Sequence, residues 1–249
     1  MNVLIVHAHP EPQSFSSAMY VEAKKFFEKQ GDSVQVSNLY EMNFNPVASS
    51  ADFNDRANPD YFNYALEQRK SLSVGSISED ISAEIAKVEA ADLLILNFPL
   101  YWFSMPAILK GWIDRVFVSG KFYGGKRIYA NGGMAGKKVL VSVTTGGRED
   151  MLSRDGIHGD LNDILKPLLQ GSLGYVGMKV LEPFYGFHVP YISAEARQEV
   201  LNGWRSELAG LDERNYMAMP DLSKFDEYFY PIKEIGSESL VVNEEKALS

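Results

Sequence analysis

The residues best suited to chemistry fall in three short stretches. In "VTTGGREDMLSRDGIHGD" (143–160) an apolar run stops on Thr144, Thr145, Gly146 and Gly147, and His158, one of four histidines, follows further on. Glycine has no Cβ and lets the backbone approach a ligand closely. The hydroxyls and N–H groups here are donors suited to the polar edge of a heterocycle. In "FPLYWFSMPA", Leu100 is followed by Tyr101, Trp102 and Phe103, where an apolar run turns over to solvent. Adjacent aromatics leaving a core make a flat wall of the kind that lines ligand sites. In "HAHPEPQSFSS", His9, Ser14, Phe15 and Ser16 precede a helix, whose first N–H groups attract phosphate.

Taken singly, each stretch has a plain explanation: a β-turn with an incidental histidine, a tryptophan closing the core, a capped helix after a proline-rich turn. For the third stretch alone the plain explanation is the better one. Together they offer phosphate donors, an aromatic wall and a glycine-lined polar edge. A flavin ring, planar and partly apolar with a polar pyrimidine edge, suits that set better than a catalytic triad does. The chemistry would be the cofactor's, and orientation and electrostatics the protein's.

Composition narrows the alternatives. The 249 residues include no cysteine, which excludes disulfides, thiolate metal sites and a cysteine nucleophile. It also fits a cytoplasmic protein. His7 and His9 lie two apart, but a metal needs more ligands and no third suggests itself, so no metal is expected. The net charge of −9 argues against nucleic-acid binding, which rests on Lys and Arg contacts to phosphate. No run approaches the roughly 20 apolar residues that cross a bilayer, so no membrane insertion is expected. The G-x-G-x-x-G and P-loop patterns are absent, and "GGMAGKK" has the wrong spacing.

The elements that must position these loops alternate. "NVLIV", "SVQVSNLY", "DLLILNFPL", "KKVLVSVTT" and "MKVLEPFYGF" read as strands, most of them apolar enough to be buried on both faces. "SFSSAMYVEAKKFFEKQG", "SEDISAEIAKVEAA", "PAILKGWIDRVFVSG", "DLNDILKPLLQGSLGYVG" (kinked near Pro167) and "SAEARQEVLNGWRSELAG" read as helices. Residues 42–80 form a long excursion of weak periodicity. The predicted fold is a three-layer α/β sandwich on a five-stranded parallel sheet of flavodoxin-like order 2-1-3-4-5. It occupies 1–210. Residues 211–249 are predicted to be an arm or tail, partly disordered toward "SESLVVNEEKALS". In such sheets ligands bind beyond the carboxyl ends of the strands, where the three loops must converge.

At these residues the chain also resembles a known family. "FPLYWFSMPAILKGWIDRVF", "TTGG", "GIHGD" and "VLEP", with "NLYEMNFNPVAS" and "AADLLILNFPL", resemble the NAD(P)H:quinone oxidoreductases of DT-diaphorase type, over roughly residues 1–208. The resemblance implies a homodimer with FAD at two sites shared across its interface. It implies hydride transfer from NADH or NADPH, then two-electron reduction of a quinone in the same pocket, in ping-pong fashion. By position, His9, Ser14, Phe15 and Ser16 would hold the pyrophosphate, and Asn63, where the family often has glutamine, and Arg197 the adenosine end. Leu100–Phe103 and Thr144–Gly147 would hold the isoalloxazine. Trp102, Phe103, Tyr123, His158 and Tyr175 would line the substrate pocket.

Two positions depart from the family. A second pocket tyrosine is Gly125 here, and a tyrosine between TTGG and the histidine is Leu152. Negative charge developing on the ring would then be met by His158 and the Gly146 and Gly147 amides alone. Three other functions compete. An FMN azoreductase or nitroreductase-like enzyme shares the fold, but the 42–80 excursion and the last helix favour the larger FAD. An ancillary subunit of a potassium-efflux transporter would resemble quinone reductases too. A one-electron flavodoxin-like carrier has no need of the aromatic wall.

Overall fold

The computed structural model describes residues 1–232. Its strands are β1 (Asn2–His7), β2 (Ser33–Asn38), β3 (Leu93–Pro99), β4 (Lys138–Thr144), β5 (Lys179–Val180) and β6 (Phe184–Gly186). Its helices are α1 (Phe15–Lys29), α2 (Tyr64–Val74), α3 (Glu79–Ala90), α4 (Ala107–Val116), the short α5 (Leu161–Ile164) and α6 (Lys166–Leu168), and α7 (Ala194–Ala209). The sheet is parallel, in the order 2-1-3-4-5, with β6 also on β4. Pairing of His7 with Asn97 and of Pro99 with Thr144 brings β1, β3 and β4 to one common edge.

Successive strand residues point to opposite faces and feed two cores. Val3, Ile5, Ile95 and Leu140 pack with Met19, Ala23 and Phe27 of α1 and Trp204 and Leu208 of α7. Leu4, Val6, Leu96 and Val141 pack with Ile81 and Ile85 of α3 and Trp112 and Val116 of α4. This is the three-layer flavodoxin-like sandwich that the alternation predicts. Ser14 caps α1, accepting from Ser17 N–H at 3.1 Å, and Gly31 ends the helix at φ 82°.

Three elements differ from the sequence reading. The predicted last strand is two, because Pro183 has no N–H to donate and the ladder lapses there. Glu182 N–H turns to Asn215 O at 3.0 Å, and Arg214 takes the Glu182 and Pro183 carbonyls at 2.6 and 2.8 Å. The helix after His158 breaks at Leu165, two residues before Pro167, into α5 and α6, followed by a π-turn over Leu169–Gly174. The 42–80 excursion contains α2. Its neighbour Asp52 is held by buried Arg115 at 2.9 Å and by the Tyr64 hydroxyl at 2.6 Å, and Arg115 also pairs with Asp80.

The compact unit runs from Met1 to Met219, and Met217 N–H donates to Val180 O at 2.8 Å alongside β5. A second unit begins at Pro220 and is described as far as Ile232. It holds a 3₁₀ turn at Leu222–Lys224 and a bridge from Phe225 to Pro231, with Tyr228 and Tyr230 exposed. The stretch 237–249, predicted to be disordered, lies outside the described residues. No described helix is long and apolar enough to cross a membrane.

Candidate functional site

The carboxyl ends of β1, β3 and β4 deliver the three loops to one edge, and direct bonds join them. Ser16 Oγ lies 2.6 Å from Thr144 Oγ1, and Leu100 N–H donates to Thr144 O at 2.8 Å. Between them is a cavity of about 380 Å³. His9, Ser14, Phe15 and Ser16 line it from the first loop, Leu100 and Tyr101 from the second, Thr144, Thr145 and Gly146 from the third, and Arg197 from α7. Gln13, Pro99, Val189 and Pro190 also line it and were not anticipated. Gln13 and Pro99 are chain neighbours of predicted residues. Val189 and Pro190 follow β6, whose place on β4 was the missing signal.

The donors in this cavity can be counted. Ser14 Oγ takes the Ser17 amide, leaving the Phe15 and Ser16 N–H groups of the first turn without a partner among the described residues. His9 Nδ1 accepts from Glu11 N–H at 3.0 Å, so the proton of the neutral ring sits on Nε2. Burial holds the His9 pKa below its ordinary value and favours that neutral form.

In the glycine turn, most of the donors named from the sequence are already spent. The Thr144 hydroxyl pairs with Ser16, Thr145 N–H donates to Gly186 O at 2.9 Å, and Gly147 N–H donates to Thr145 Oγ1 at 3.0 Å. What remains for a ligand is the Gly146 N–H and the Thr145 hydroxyl proton. Val189 N–H donates to Thr145 O at 3.1 Å and so holds the peptide that carries the Gly146 N–H, while the next two carbonyls are held by a residue that the sequence did not single out. His188 Nδ1–H donates to Gly146 O at 2.7 Å, and its backbone N–H donates to Gly147 O at 2.9 Å. The Gly146–Gly147 peptide is therefore pinned from both sides, which keeps the Thr145 acceptor filled and aims its proton elsewhere.

The aromatic wall is a hairpin. Tyr101 and Ser104 exchange backbone bonds at 2.9 and 3.0 Å, and between them Trp102 and Phe103 have φ 49° and 58°. Positive φ at both central positions is the type I′ turn, normally the province of Asn and Gly. Bulky side chains there are strained, and strain of this kind collects at ligand clamps. Trp102 is 96% exposed, so the indole recovers nothing by burial in its own chain.

Comparison with known proteins agrees with this geometry. The family model for a flavodoxin-like fold matches residues 1–208. NAD(P)H dehydrogenase [quinone] 1 of Rattus norvegicus is 43% identical over 90% of this chain and 82% of its own. The chain belongs to the NAD(P)H:quinone oxidoreductase family. Ribosyldihydronicotinamide dehydrogenase [quinone] of Mus musculus is also 43% identical, over 84% of this chain and 91% of its own. A solved chain from Klebsiella pneumoniae assigned as a quinone reductase superposes with TM-score 0.83 at 31% identity, covering 100% of this chain and 98% of that one. The protein is accordingly an oxidoreductase.

Within this quinone oxidoreductase, the remaining predicted residues stand apart from the cavity. Phe103 and His158 pair with each other, ring centroids 5.1 Å apart, both open to solvent, and neither lines the cavity. Leu152, at the family's tyrosine position, is buried beneath the turn, where a Cβ on Gly147 would meet its Cδ1 at 3.0 Å. It supports Gly147 by contact and offers no hydroxyl. Asn63 caps α2 by accepting from Leu66 N–H at 3.2 Å, and it does not line the cavity. Tyr123 and Tyr175 pair with each other at 5.8 Å, and neither lines it.

Beneath the site runs a buried polar chain. Asn97 Nδ2–H donates to Ser142 Oγ at 2.8 Å, Asn97 Oδ1 meets His7 Nδ1 at 2.7 Å, and His7 Nε2 meets Ser17 Oγ at 3.1 Å. Burial pushes the His7 pKa down, so this histidine is a neutral strut under the helix start. No cluster of metal-ligating side chains occurs among the described residues.

Proposed function

We propose that this protein is an FAD-dependent quinone reductase that takes two electrons from NAD(P)H and passes them to a quinone in ping-pong fashion. The carrying observation is one cavity edge that joins a strained, exposed aromatic turn to a fixed amide donor and an open helix start. Bound there, a flavin supplies the two-electron carrier between donor and acceptor.

The residues have separable duties. The Phe15 and Ser16 N–H groups, with His9 Nε2–H, would hold the pyrophosphate, since a helix start favours anions. Arg197 adds a cation at the same cavity. Gly146 N–H and the Thr145 hydroxyl would face the polar edge of the ring, where such donors stabilise developing negative charge. Phe103 and His158, assigned to the substrate pocket by resemblance, would meet both substrates in turn. A shared pocket would require the oxidised donor to leave before the quinone arrives, which is the ping-pong order.

A homodimer with shared sites is part of the proposal. Tyr123 and Tyr175 belong to the substrate pocket by resemblance yet stand apart from their own cavity, as expected if they serve a partner's. A cytoplasmic location completes it and is compatible with a cysteine-free chain. Heat-released flavin identified by mass tests the cofactor: FAD supports the proposal, and FMN alone would move the chain to the azoreductase-like alternative.

A further inference from the structure

A second cavity, of about 620 Å³, lies between α2 and the 120–137 segment. Arg69, Lys121, Arg127 and Lys137 line it, against the single carboxylate of Glu89. Such a concentration of cations is unexpected in a chain of net charge −9 and makes a local field attractive to anions. Glu89 is spent on Lys121 at 2.5 Å. Lys137 Nζ donates to the Glu89 and Ala91 carbonyls at 2.7 and 2.6 Å. Arg69 and Arg127 have no carboxylate partner among the described residues.

Both arginines are held on one tight loop. Gly120 N–H donates to Tyr123 O at 2.7 Å, and Arg127 N–H donates to Gly124 O at 3.0 Å. Arg69 Nε donates to Ser119 Oγ at 2.9 Å, and its stem and guanidinium press on the glycines. A Cβ on Gly120 would meet Arg69 Cγ at 3.0 Å, and one on Gly124 would meet Arg69 NH2 at 3.1 Å. Arg127 NH1 reaches Gly120 O at 3.4 Å, leaving most of its donors unused. The same loop presents Tyr123.

We propose that this cavity is a phosphate-binding site in which Arg69 and Arg127 grip a phosphate or pyrophosphate group, with Lys121 adding charge. Guanidinium groups match phosphate oxygens two at a time and are always charged. The site serves the phosphate-bearing half of the nicotinamide donor, through the loop that carries Tyr123. That source rests on the preceding reading of Tyr123 as a substrate-pocket residue, and a free phosphate ester is the other source of the same chemistry. Relatives named for NAD(P)H and for ribosyldihydronicotinamide are each 43% identical, so similarity alone leaves the donor class open. A guanidinium pair discriminates between them, because only the first kind of donor carries phosphate.

The test uses the holoenzyme and an Arg69→Ala/Arg127→Ala variant. Quinone reduction is followed with NADPH, NADH and reduced nicotinamide riboside, and inorganic pyrophosphate is titrated by calorimetry. The expected result is that kcat/KM falls about tenfold or more for both phosphate-bearing donors, the scale of lost charge-assisted bonds, while the riboside is used as before. Wild type should bind pyrophosphate and the variant should not. Pyrophosphate binding with all three donors unaffected would keep the site and assign it to a free phosphate ester. A fall for the riboside as large as for NADPH would show that the arginines merely shape the Tyr123 loop and overturn the proposal, as would the absence of any response to pyrophosphate. A protein that reduces no quinone with any donor would refute the reductase reading, and the pyrophosphate titration would then judge the cavity by itself.

Discussion

Replacing Trp102 by asparagine should make the ligand-free protein more stable and the flavin complex weaker. A non-glycine residue in the left-handed region costs roughly 1–2 kcal/mol, and asparagine is among the residues that tolerate it. Trp102 is 96% exposed, so its removal forfeits almost no burial in the ligand-free chain. The expected gain is therefore about 1 kcal/mol, or a rise in Tm of about 2–4 °C for a domain of this size. The loss appears on binding. An indole laid against a flavin ring buries apolar surface worth about 1.5–3 kcal/mol, so FAD affinity should fall about tenfold or more. Trp102→Gly should act in the same direction with a smaller gain, because glycine adds about 0.5–1 kcal/mol of unfolded-chain entropy. Melting of flavin-stripped protein and fluorescence titration with FAD measure the two effects. A variant that melts below wild type when stripped would refute the strain argument. A variant that is stabilised yet binds FAD as tightly as wild type would show that the strain does not serve the ligand.

His188→Ala should weaken FAD binding about fivefold, the equivalent of one hydrogen bond of about 1 kcal/mol, and His188→Asn should recover part of it by donating to Gly146 O; titration of both variants checks this. His158→Gln should slow flavin reduction in rapid mixing, and an unchanged rate would remove His158 from the mechanism. The buried His7 gives a pH dependence with a definite sign. Burial holds its folded pKa below the ordinary histidine value of about 6.5, so the unfolded chain binds the proton first as pH falls. Its contribution is fully present above about pH 6.5 and is lost as pH falls through the folded pKa. The slope of stability against pH in that window, measured by urea denaturation, should be shallower in His7→Leu, whatever the variant's stability at neutral pH.

Much of this architecture was legible because it is written locally. Runs such as "NVLIV" and "DLLILNFPL" cannot be satisfied except in a buried parallel sheet, and Ser14 and Gly31 mark the ends of α1 by their own chemistry. The convergence of the three loops followed from topology alone. What sequence could not show depends on distant partners. α2 lies in a polar stretch whose neighbouring Asp52 is anchored on Arg115, 63 positions away in the chain. The spent donors of Thr144, Thr145 and Gly147 became visible only once Ser16, Gly186 and the His188 strap were in place. The division of the last strand was foreshadowed by Pro183, but its repair by Arg214 was not. The left-handed turn at Trp102 and Phe103 ran against the expectation for bulky residues.

The most direct test of the account is the visible spectrum of the purified protein. A yellow protein with flavin absorption near the blue end, bleached by NADH or NADPH and restored by a quinone, is the predicted result. A colourless protein that also fails to take up added FAD or FMN would contradict it.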